Sequence, residues 1–349
     1  MQQYKRLWKR VLASAKSIGK RPEALRTLLY LLVATSGLAL IFQNCQSLLV
    51  SSTSAKDSPQ LANTPRSTPK SPGKNTSLTP SPASTPRPLP SLEVLLTLTD
   101  EETATLAAIA DRRWDGRAWY LEKSAELTAY LPPDFLERRE EISAQSGVYP
   151  KKEDYDRLKI AEYRKFIDTH PTVRRSIVGS SIALSVPDEF LGENDFNLGV
   201  PAYRLKDMVA QVDRLSDSHP PQEIAIFGAA TPELLNQTHP KNILDDTLTL
   251  IETIHRKYPK TRIVFSSVLP RSKTEQLRDP RMADVSNPVV SVLNRALAQQ
   301  FAGDDRVEFL DLSPYLIDEA GNLKREFSTD GLHPNVQATL VFLKLLDRS

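Results

Sequence analysis

The sequence predicts an α/β fold with a central parallel sheet, because strand-like and helix-like segments alternate along its C-terminal half. Short apolar runs are typical of buried strands, and longer amphipathic windows are typical of helices. Strands that alternate with helices predict a parallel sheet covered on both faces, which is a three-layer α/β/α sandwich. The expected strands are 176–178, 223–227, 262–266 and 307–310, and the expected helices are 205–215, 242–257, 288–301 and 335–346.

A helical segment is expected ahead of this sandwich. Apolar and aromatic residues recur at loosely helical spacing within 101–125 and within 155–167, a rhythm that favours helices over strands. We interpret these aromatic side chains as core residues and not as a cofactor site. The folded part is therefore expected to comprise a helical extension, 92–171, and an α/β domain, 172–349.

Three segments of unlike composition precede the folded part. Residues 1–26 carry a formal charge of +7, residues 27–50 contain no charged residue, and residues 51–91 contain nine Pro and sixteen Ser or Thr. A helix over 27–50 would be about 36 Å long, enough to cross a hydrocarbon core of about 30 Å. The composition of 51–91 cannot bury enough apolar surface to fold, which predicts a disordered linker.

The charge ahead of the apolar segment predicts its orientation. Lys and Arg are enriched on the cytoplasmic side of membrane spans, so residues 1–26 are expected to be a cytoplasmic leader. We expect 27–50 to be a signal anchor in the cell membrane, crossing it once, with the C-terminal domain in the periplasm or outside the cell. A cleaved signal peptide is the alternative, because the densest apolar stretch, 28–42, has the length of a signal-peptide core.

Composition also excludes several classes of site. The single cysteine, Cys45, excludes an intramolecular disulfide and any multi-cysteine metal centre. Residues 92–349 carry a formal charge of −9, which argues against nucleic-acid binding by the folded part. Because the glycine-rich nucleotide motifs and the His-Glu-x-x-His metal motif are missing from the sequence, we expect no cofactor and no metal.

Two short motifs carry residues suited to nucleophilic chemistry. Gly179-Ser180-Ser181 follows the first expected strand, and Asp330-Gly-Leu-His333 precedes the last expected helix. Ligands of such sheets bind at the carboxyl ends of the strands. A serine becomes a nucleophile when a histidine accepts its proton and a carboxylate orients that histidine. Taken singly, the first motif is also a helix cap and the second a surface turn.

Together the two motifs resemble the first and last sequence blocks of the SGNH, or GDSL-like, hydrolase superfamily, over about residues 172–349. The resemblance implies an α/β sandwich in which Ser181 is the nucleophile, His333 the general base and Asp330 the acid that orients it. Ser180 stands where the superfamily has Asp, and it is the alternative nucleophile.

The inner blocks of the superfamily are matched less closely. Asn197 opens a segment that resembles the second block, with Ala202 in place of the glycine whose backbone N–H binds the oxyanion. The resemblance therefore implies two backbone donors, from Ser181 and Ala202, and the change to alanine is expected to be mild if its dihedral angles suit alanine. In the third block, Ala230 replaces the asparagine that would complete the oxyanion hole. Loss of such a donor costs about 10²- to 10³-fold in rate, unless Thr231, Asn236 or another side chain replaces it.

The Gly179-Ser180-Ser181 form, the expected anchor and the outward-facing domain together resemble membrane-anchored bacterial envelope members of the superfamily. The resemblance implies an acyl esterase or O-acyltransferase that acts on acyl or acetyl esters of an envelope polysaccharide, with a membrane-bound O-acyltransferase as a candidate partner. Hydrolysis and transfer both remain open. The alternative, motivated by Ala230, is a catalytically weak or inactive protein of this fold that binds an envelope glycan or a partner protein.

Overall fold

The computed structural model describes residues 89–109 and 115–348 of the chain. The expected leader and membrane anchor, and nearly all of the expected linker, lie outside the described residues. Within the described ranges, no helix is both long enough and apolar enough to cross a membrane. The described residues belong to one compact unit, 85–349.

The segment expected to be helical forms a succession of helices. These are α1 (Leu92–Leu96), α2 (Asp100–Ile109), α3 (Gly116–Glu126), α4 (Pro133–Ala144) and α5 (Lys152–Thr169), with a 3₁₀ turn at Thr128–Tyr130. The helical pattern expected within 101–125 corresponds to two helices, and Asp115 caps the second by accepting N–H groups of the first turn of α3. The pattern over 155–167 lies within α5.

The remaining residues form the predicted parallel sheet with helices on both faces. The elements are β1 (Arg175–Gly179), α6 (Ser181–Leu184), β2 (Asp195–Asn197), α7 (Leu205–Asp213), β3 (Glu223–Phe227), α8 (Thr231–Leu235), α9 (Pro240–Lys257), β4 (Arg262–Ser266), α10 (Asn287–Phe301), β5 (Val307–Leu310), α11 (Ser313–Leu316) and α12 (Val336–Leu346). Short 3₁₀ helices lie at Asp188–Phe190, Thr274–Gln276, Pro280–Asp284 and Arg325–Phe327. The strand order is β2-β1-β3-β4-β5, and every pair is parallel. The prediction of a parallel α/β sheet is confirmed.

One strand was not predicted from the sequence. Strand β2 has only three residues, and it pairs with β1 alone, in a register that places Asp195 beside Arg175. Its sequence, Asp-Phe-Asn, has one apolar residue, so it lacks the apolar run by which a buried strand is recognised. The strand forms because its backbone extends the edge of an existing sheet.

Alternate residues of the strands pack into two separate cores. Ile177 and Phe227 face the core that contains α1, α6 and α12, while Val178 and Ile226 face the core that contains α3, α4, α5, α7, α9 and α10. On the first face, the rings of Phe227 and Phe342 stack with centroids 4.0 Å apart. Because successive side chains of a strand point to opposite faces, the two cores make the three layers of the sandwich.

The amino ends of all five strands carry charged residues that pair across the sheet. Following the strand order, these residues alternate in sign: Asp195, Arg175, Glu223, Arg262 and Glu308. Arg175 Nη1 lies 3.6 Å from an Asp195 oxygen, and Arg175 Nε donates to Glu223 at 2.5 Å. Glu223 also pairs with Arg262 at 2.7 Å, and Arg262 pairs with Glu308. We call these five residues the amino-edge network.

Candidate active site

The turn from β1 into α6 presents Ser181 at the carboxyl edge of the sheet. Gly179 ends β1, where a β-carbon would collide with the carbonyl oxygen of Phe227. Ser180 caps α6 by accepting the N–H of Ile182 at 3.4 Å, and its hydroxyl donates to the carbonyl of Gly228 at 2.6 Å. Ser180 is fully buried, and its hydrogen bond joins the turn after β1 to the turn after β3. Its hydroxyl therefore has a structural role. Ser181, the first residue of α6, is the partly exposed hydroxyl of the pair.

The structure brings Ser181, His333 and Asp330 into one hydrogen-bonded series. Ser181 Oγ lies 3.0 Å from His333 Nε2, and His333 Nδ1 lies 2.8 Å from Asp330 Oδ2. With Nδ1 donating to the carboxylate, Nε2 is left to accept the serine proton, a tautomer that we assign from these partners. The three residues have the connections that nucleophilic serine chemistry requires.

The Asp330–His333 turn fixes the carboxylate from two sides. The second oxygen of Asp330 accepts the backbone N–H groups of Leu332 and His333, each at 2.9 Å. Burial raises the pKa of Asp330, but these N–H groups and the side-chain hydrogen bond from His333 more than offset it and lower the pKa to about 2. The carboxylate is therefore ionised at neutral pH, and a negative charge at this position stabilises an imidazolium beside it.

The segment between β4 and α10 supports the same turn. The N–H of Ser272 donates to the carbonyl of Gly331 at 2.7 Å, and the N–H of Arg278 donates to the carbonyl of Asp330 at 2.8 Å. Gly331 has φ of +95°, and a β-carbon there would collide with Leu277. The glycine of the Asp-x-x-His motif thus allows both the turn and the close approach of this segment.

Ala202 lies in the loop between β2 and α7, which we call the oxyanion loop, residues 198–204. Asn197 anchors the start of this loop: its side chain donates to the carbonyls of Ala183 and Val186 and accepts the N–H of Gly199. Ala202 is exposed. Among the hydrogen bonds of the described residues, none uses the N–H of Ala202 or of Ser181, so neither donor has an internal acceptor there.

The dihedral angles at Ala202 do not suit alanine, which was the condition under which the replacement of glycine was expected to be mild. The φ of Ala202 is +58°, in the left-handed region that glycine adopts freely and that costs an L-residue about 1–2 kcal/mol. The alanine therefore keeps the backbone donor but holds it in a strained conformation. Such strain persists only where the surrounding structure imposes it.

Ala230, after β3, also adopts a left-handed conformation, with φ of +68°. Its side chain is fully buried and offers no donor. The two replacements considered from the sequence are not available: Thr231 Oγ1 is closed off from solvent without a partner, and the Asn236 amide donates to Pro232 of its own helix at 2.6 Å. Neither side chain therefore replaces the missing donor, and the backbone N–H groups of Ser181 and Ala202 remain the candidate donors.

Glu233 of α8 was not found by sequence reasoning. Its side chain is buried, and Oε1 accepts the N–H of Leu205, the first residue after the oxyanion loop, at 2.6 Å. Burial raises the pKa of this carboxyl above its usual value. A single glutamate in a short helix carries no sequence signal, because its importance comes from a contact across 28 positions of the chain.

Among the described residues, no group of three or more His, Cys, Asp or Glu side chains could hold a metal ion. A serine, a histidine and an aspartate in series at the carboxyl edge of a parallel sheet define an α/β protein of the serine-hydrolase type.

Residues 182–338 match the model of the GDSL-like lipase/acylhydrolase family. The α/β domain is therefore similar to that family of ester-hydrolysing enzymes, the SGNH, or GDSL-like, hydrolases, over less than half of the chain. The matched residues include Asp330 and His333 and begin one residue after Ser181. They are fewer than the residues over which the sequence motifs suggested the resemblance.

Several solved structures are similar to this chain. A candidate platelet activating factor from Streptococcus pneumonia is 22% identical with a TM-score of 0.50, over 56% of this chain and 93% of its own. A GDSL-like lipase from Bacteroides thetaiotaomicron is 17% identical with a TM-score of 0.44, over 54% and 97%. A carbohydrate esterase family 3 protein from Talaromyces cellulolyticus is 13% identical with a TM-score of 0.38, over 50% and 95%. The first of these shares the fold. No curated protein matches the chain.

Proposed function

We propose that this protein is an acyl esterase or O-acyltransferase in which Ser181, His333 and Asp330 form a catalytic triad. The observation that carries the proposal is the hydrogen-bonded series from Ser181 Oγ to His333 Nε2 at 3.0 Å and from His333 Nδ1 to Asp330 at 2.8 Å. Ser180 is not the nucleophile, because its buried hydroxyl donates to the carbonyl of Gly228.

The reaction proceeds in two acyl transfers. Ser181 Oγ attacks the acyl carbonyl while His333 takes the serine proton, and the oxyanion that forms accepts the N–H groups of Ser181 and Ala202. The C–O bond to the alcohol then breaks, and His333 returns the proton to the leaving oxygen. A water molecule or an acceptor hydroxyl attacks the acyl-serine, gives its proton to His333, and releases Ser181 as the proton moves back to Oγ.

Ala230 predicts a slow reaction within this mechanism. An oxyanion hole that lacks one side-chain donor is expected to lose about 10²- to 10³-fold in rate. The same residue favours the second candidate function, a protein of this fold that binds an envelope glycan or a partner protein without turnover.

We place the proposed reaction at the cell envelope on sequence grounds. The +7 leader, the uncharged 27–50 and the Pro-, Ser- and Thr-rich 51–91 support a signal anchor with an extracytoplasmic domain. The substrate proposed from the resemblance is an acyl or acetyl ester of an envelope polysaccharide, and a membrane-bound O-acyltransferase is the proposed partner. A domain charge of −9 favours a neutral or cationic polymer over a polyanion.

Turnover of an activated acetyl ester by the purified chain tests the proposal. Wild type and Ser180→Ala are expected to release the alcohol, whereas Ser181→Ala and His333→Ala are expected to lose the activity. If wild type and the three variants show equal turnover at equal folded fraction, the enzyme proposal is wrong, and the binding function is the remaining candidate. Rapid acyl-enzyme formation with slow release in water, accelerated by added sugar hydroxyls, would identify transfer instead of hydrolysis.

A further inference from the structure

Helix α5, which lies outside the matched residues 182–338, contacts the oxyanion loop through a buried carboxylate. Asp156 of α5 is 5% exposed. Its charge acts on the hydroxyl of Tyr203, the residue that directly follows Ala202, and burial together with the nearby carboxylate raises the pKa of the phenol. Arg214 Nη1 lies 2.5 Å from the same carboxylate, so the charge of Asp156 is balanced where it is buried.

Helix α5 is also connected, through a residue of α7, to Leu198, the first residue of the oxyanion loop. Gln211 of α7 is fully buried, and its amide nitrogen lies 3.4 Å from Asp156 Oδ1 and 3.1 Å from the carbonyl of Leu198. Asp156 is therefore connected to the loop at Leu198 and at Tyr203, on both sides of Ala202.

A second ion pair joins α5 to the end of the loop. Lys152, at the start of α5, donates to the two carboxylate oxygens of Asp207 at 2.9 and 2.8 Å. Asp207 in turn accepts the backbone N–H of Arg204 at 3.0 Å. Arg204 is the last residue of the oxyanion loop, so its position is tied to α5 as well.

The conformation of Ala202 explains why the loop needs such support. An alanine at φ of +58° does not keep this conformation by its own preference, and the exposed Ala202 would relax to negative φ if its neighbours in the loop were free. Relaxation would turn the N–H of Ala202 away. Contacts at Leu198, Tyr203 and Arg204 leave little freedom for that change.

We propose that α5 is part of the catalytic unit and that Asp156 is a positioning residue, which holds the N–H of Ala202 in place through Gln211 and Leu198 on one side and through Tyr203 on the other. The proposal rests on the proposed function and extends it to the helical extension, 92–171. The extension is then neither a lid nor a spacer, because one of its helices supports the loop that carries the N–H of Ala202.

Three variants of the full chain and one control test the proposal. Tyr203→Phe keeps the ring and removes the hydroxyl, Asp156→Ala removes the carboxylate, and Asp156→Asn keeps an oxygen for Tyr203. Arg157→Gln is the matched control, because Arg157 neighbours Asp156 on α5 but pairs with Asp134 at 2.7 Å, away from the loop.

The expected result is a specific loss in kcat. A small displacement of a catalytic donor costs up to about 10²-fold, so Tyr203→Phe and Asp156→Ala are expected to lower kcat about 10- to 100-fold with KM changed less than about 3-fold. Asp156→Asn should recover part of the rate. The loss in the Tyr203→Phe, Asp156→Ala double variant should be smaller than the product of the single losses. The Arg157→Gln control should keep the wild-type kcat.

Hydrogen exchange of the amides in 198–204 gives a readout that does not depend on catalysis. Exchange there is expected to accelerate in Tyr203→Phe and Asp156→Ala and to stay unchanged in Arg157→Gln. If folded variants keep wild-type exchange and wild-type kcat, or if kcat falls only in proportion to the folded fraction, the positioning role is wrong. If wild type shows no Ser181-dependent turnover, the proposed function fails, and exchange alone decides whether Asp156 holds the loop.

Discussion

The two edges of the same sheet are built in opposite ways. At the amino edge, five charged residues alternate in sign and each has a partner on the neighbouring strand. At the carboxyl edge, Ala202 and Ala230 adopt left-handed conformations, and the N–H groups of Ser181 and Ala202 have no internal acceptor among the described residues. Buried charges are costly to leave without partners, whereas strained residues cluster where a ligand must bind. The difference supports a division in which the amino edge is structural and the carboxyl edge carries the proposed function.

The largest effect is expected from removing the central cation of the amino-edge network. Arg175→Ala takes a shared partner from Asp195 and Glu223, which are 6% and 9% exposed, while Arg174 still pairs with Asp195 and Arg262 with Glu223. Breaking a buried ion pair costs about 3–5 kcal/mol, and because each carboxylate keeps one cation we expect the free energy of unfolding to fall by about 3 kcal/mol, the lower end of that range, in urea titrations.

The matched control for this variant is Arg306→Ala, which removes a more exposed cation paired with Asp304. It should leave the unfolding midpoint nearly unchanged. The kcat of folded Arg175→Ala should equal that of wild type, and a drop in kcat at full folded fraction would contradict the separation of the two edges.

The next largest effect is expected at Ala230. Ala230→Asn offers a side-chain donor to the oxyanion, and asparagine adopts left-handed backbone more readily than alanine. We expect kcat to rise about 10-fold or more, below the 10²- to 10³-fold ceiling for one full donor. Steady-state kinetics with the activated acetyl ester measures the change.

Ala230→Gly separates the donor from the backbone. It relieves the left-handed strain and supplies no donor, so its kcat should stay near that of wild type. If kcat rises as much in Ala230→Gly as in Ala230→Asn, relief of backbone strain explains the effect. The missing side-chain donor would then not limit the rate.

A smaller effect is expected from the charge of Asp330. Its folded pKa of about 2 lies below the unfolded value of about 3.9, so its contribution to stability is complete above about pH 4 and is lost as pH falls to about 2. After allowance for solvent screening we expect about 1–2 kcal/mol. The difference in unfolding free energy between wild type and Asp330→Asn should shrink over this interval, and a constant difference would contradict the assignment.

The smallest effect is expected at Ala202. Ala202→Gly removes left-handed strain but increases the entropy of the unfolded chain, so it should stabilise the protein by about 0.5–1 kcal/mol. Ala210→Gly, in the exposed interior of α7, should destabilise it by about 1 kcal/mol. Thermal unfolding measures the stability of both variants against wild type. Destabilisation by Ala202→Gly would contradict the claim that Ala202 is strained.

Sequence patterns predicted what depends on residues close together in the chain. Strands β3, β4 and β5 begin and end where their apolar runs do. Asp330 and His333 are bonded as their spacing suggests, since three residues fit one turn. The short edge strand β2 was missed because sheet pairing, and not apolar content, creates it.

Other features could not be predicted because they depend on long-range contacts. Asp156 and Glu233 are ordinary helical acids in the sequence, and they become important through contacts with Tyr203 and Leu205. The left-handed backbone at Ala202 was also hidden, because alanine favours negative φ and only the surrounding loop imposes the positive value.

The central claim, that Ser181 is the nucleophile of the carboxyl edge, is tested most directly by a serine-reactive phosphonate followed by peptide mass spectrometry. The account predicts one adduct, on Ser181, in wild type and in Arg175→Ala, and its loss in His333→Ala. An adduct on Ser180, or equal labelling of Ser181 without His333, would contradict it.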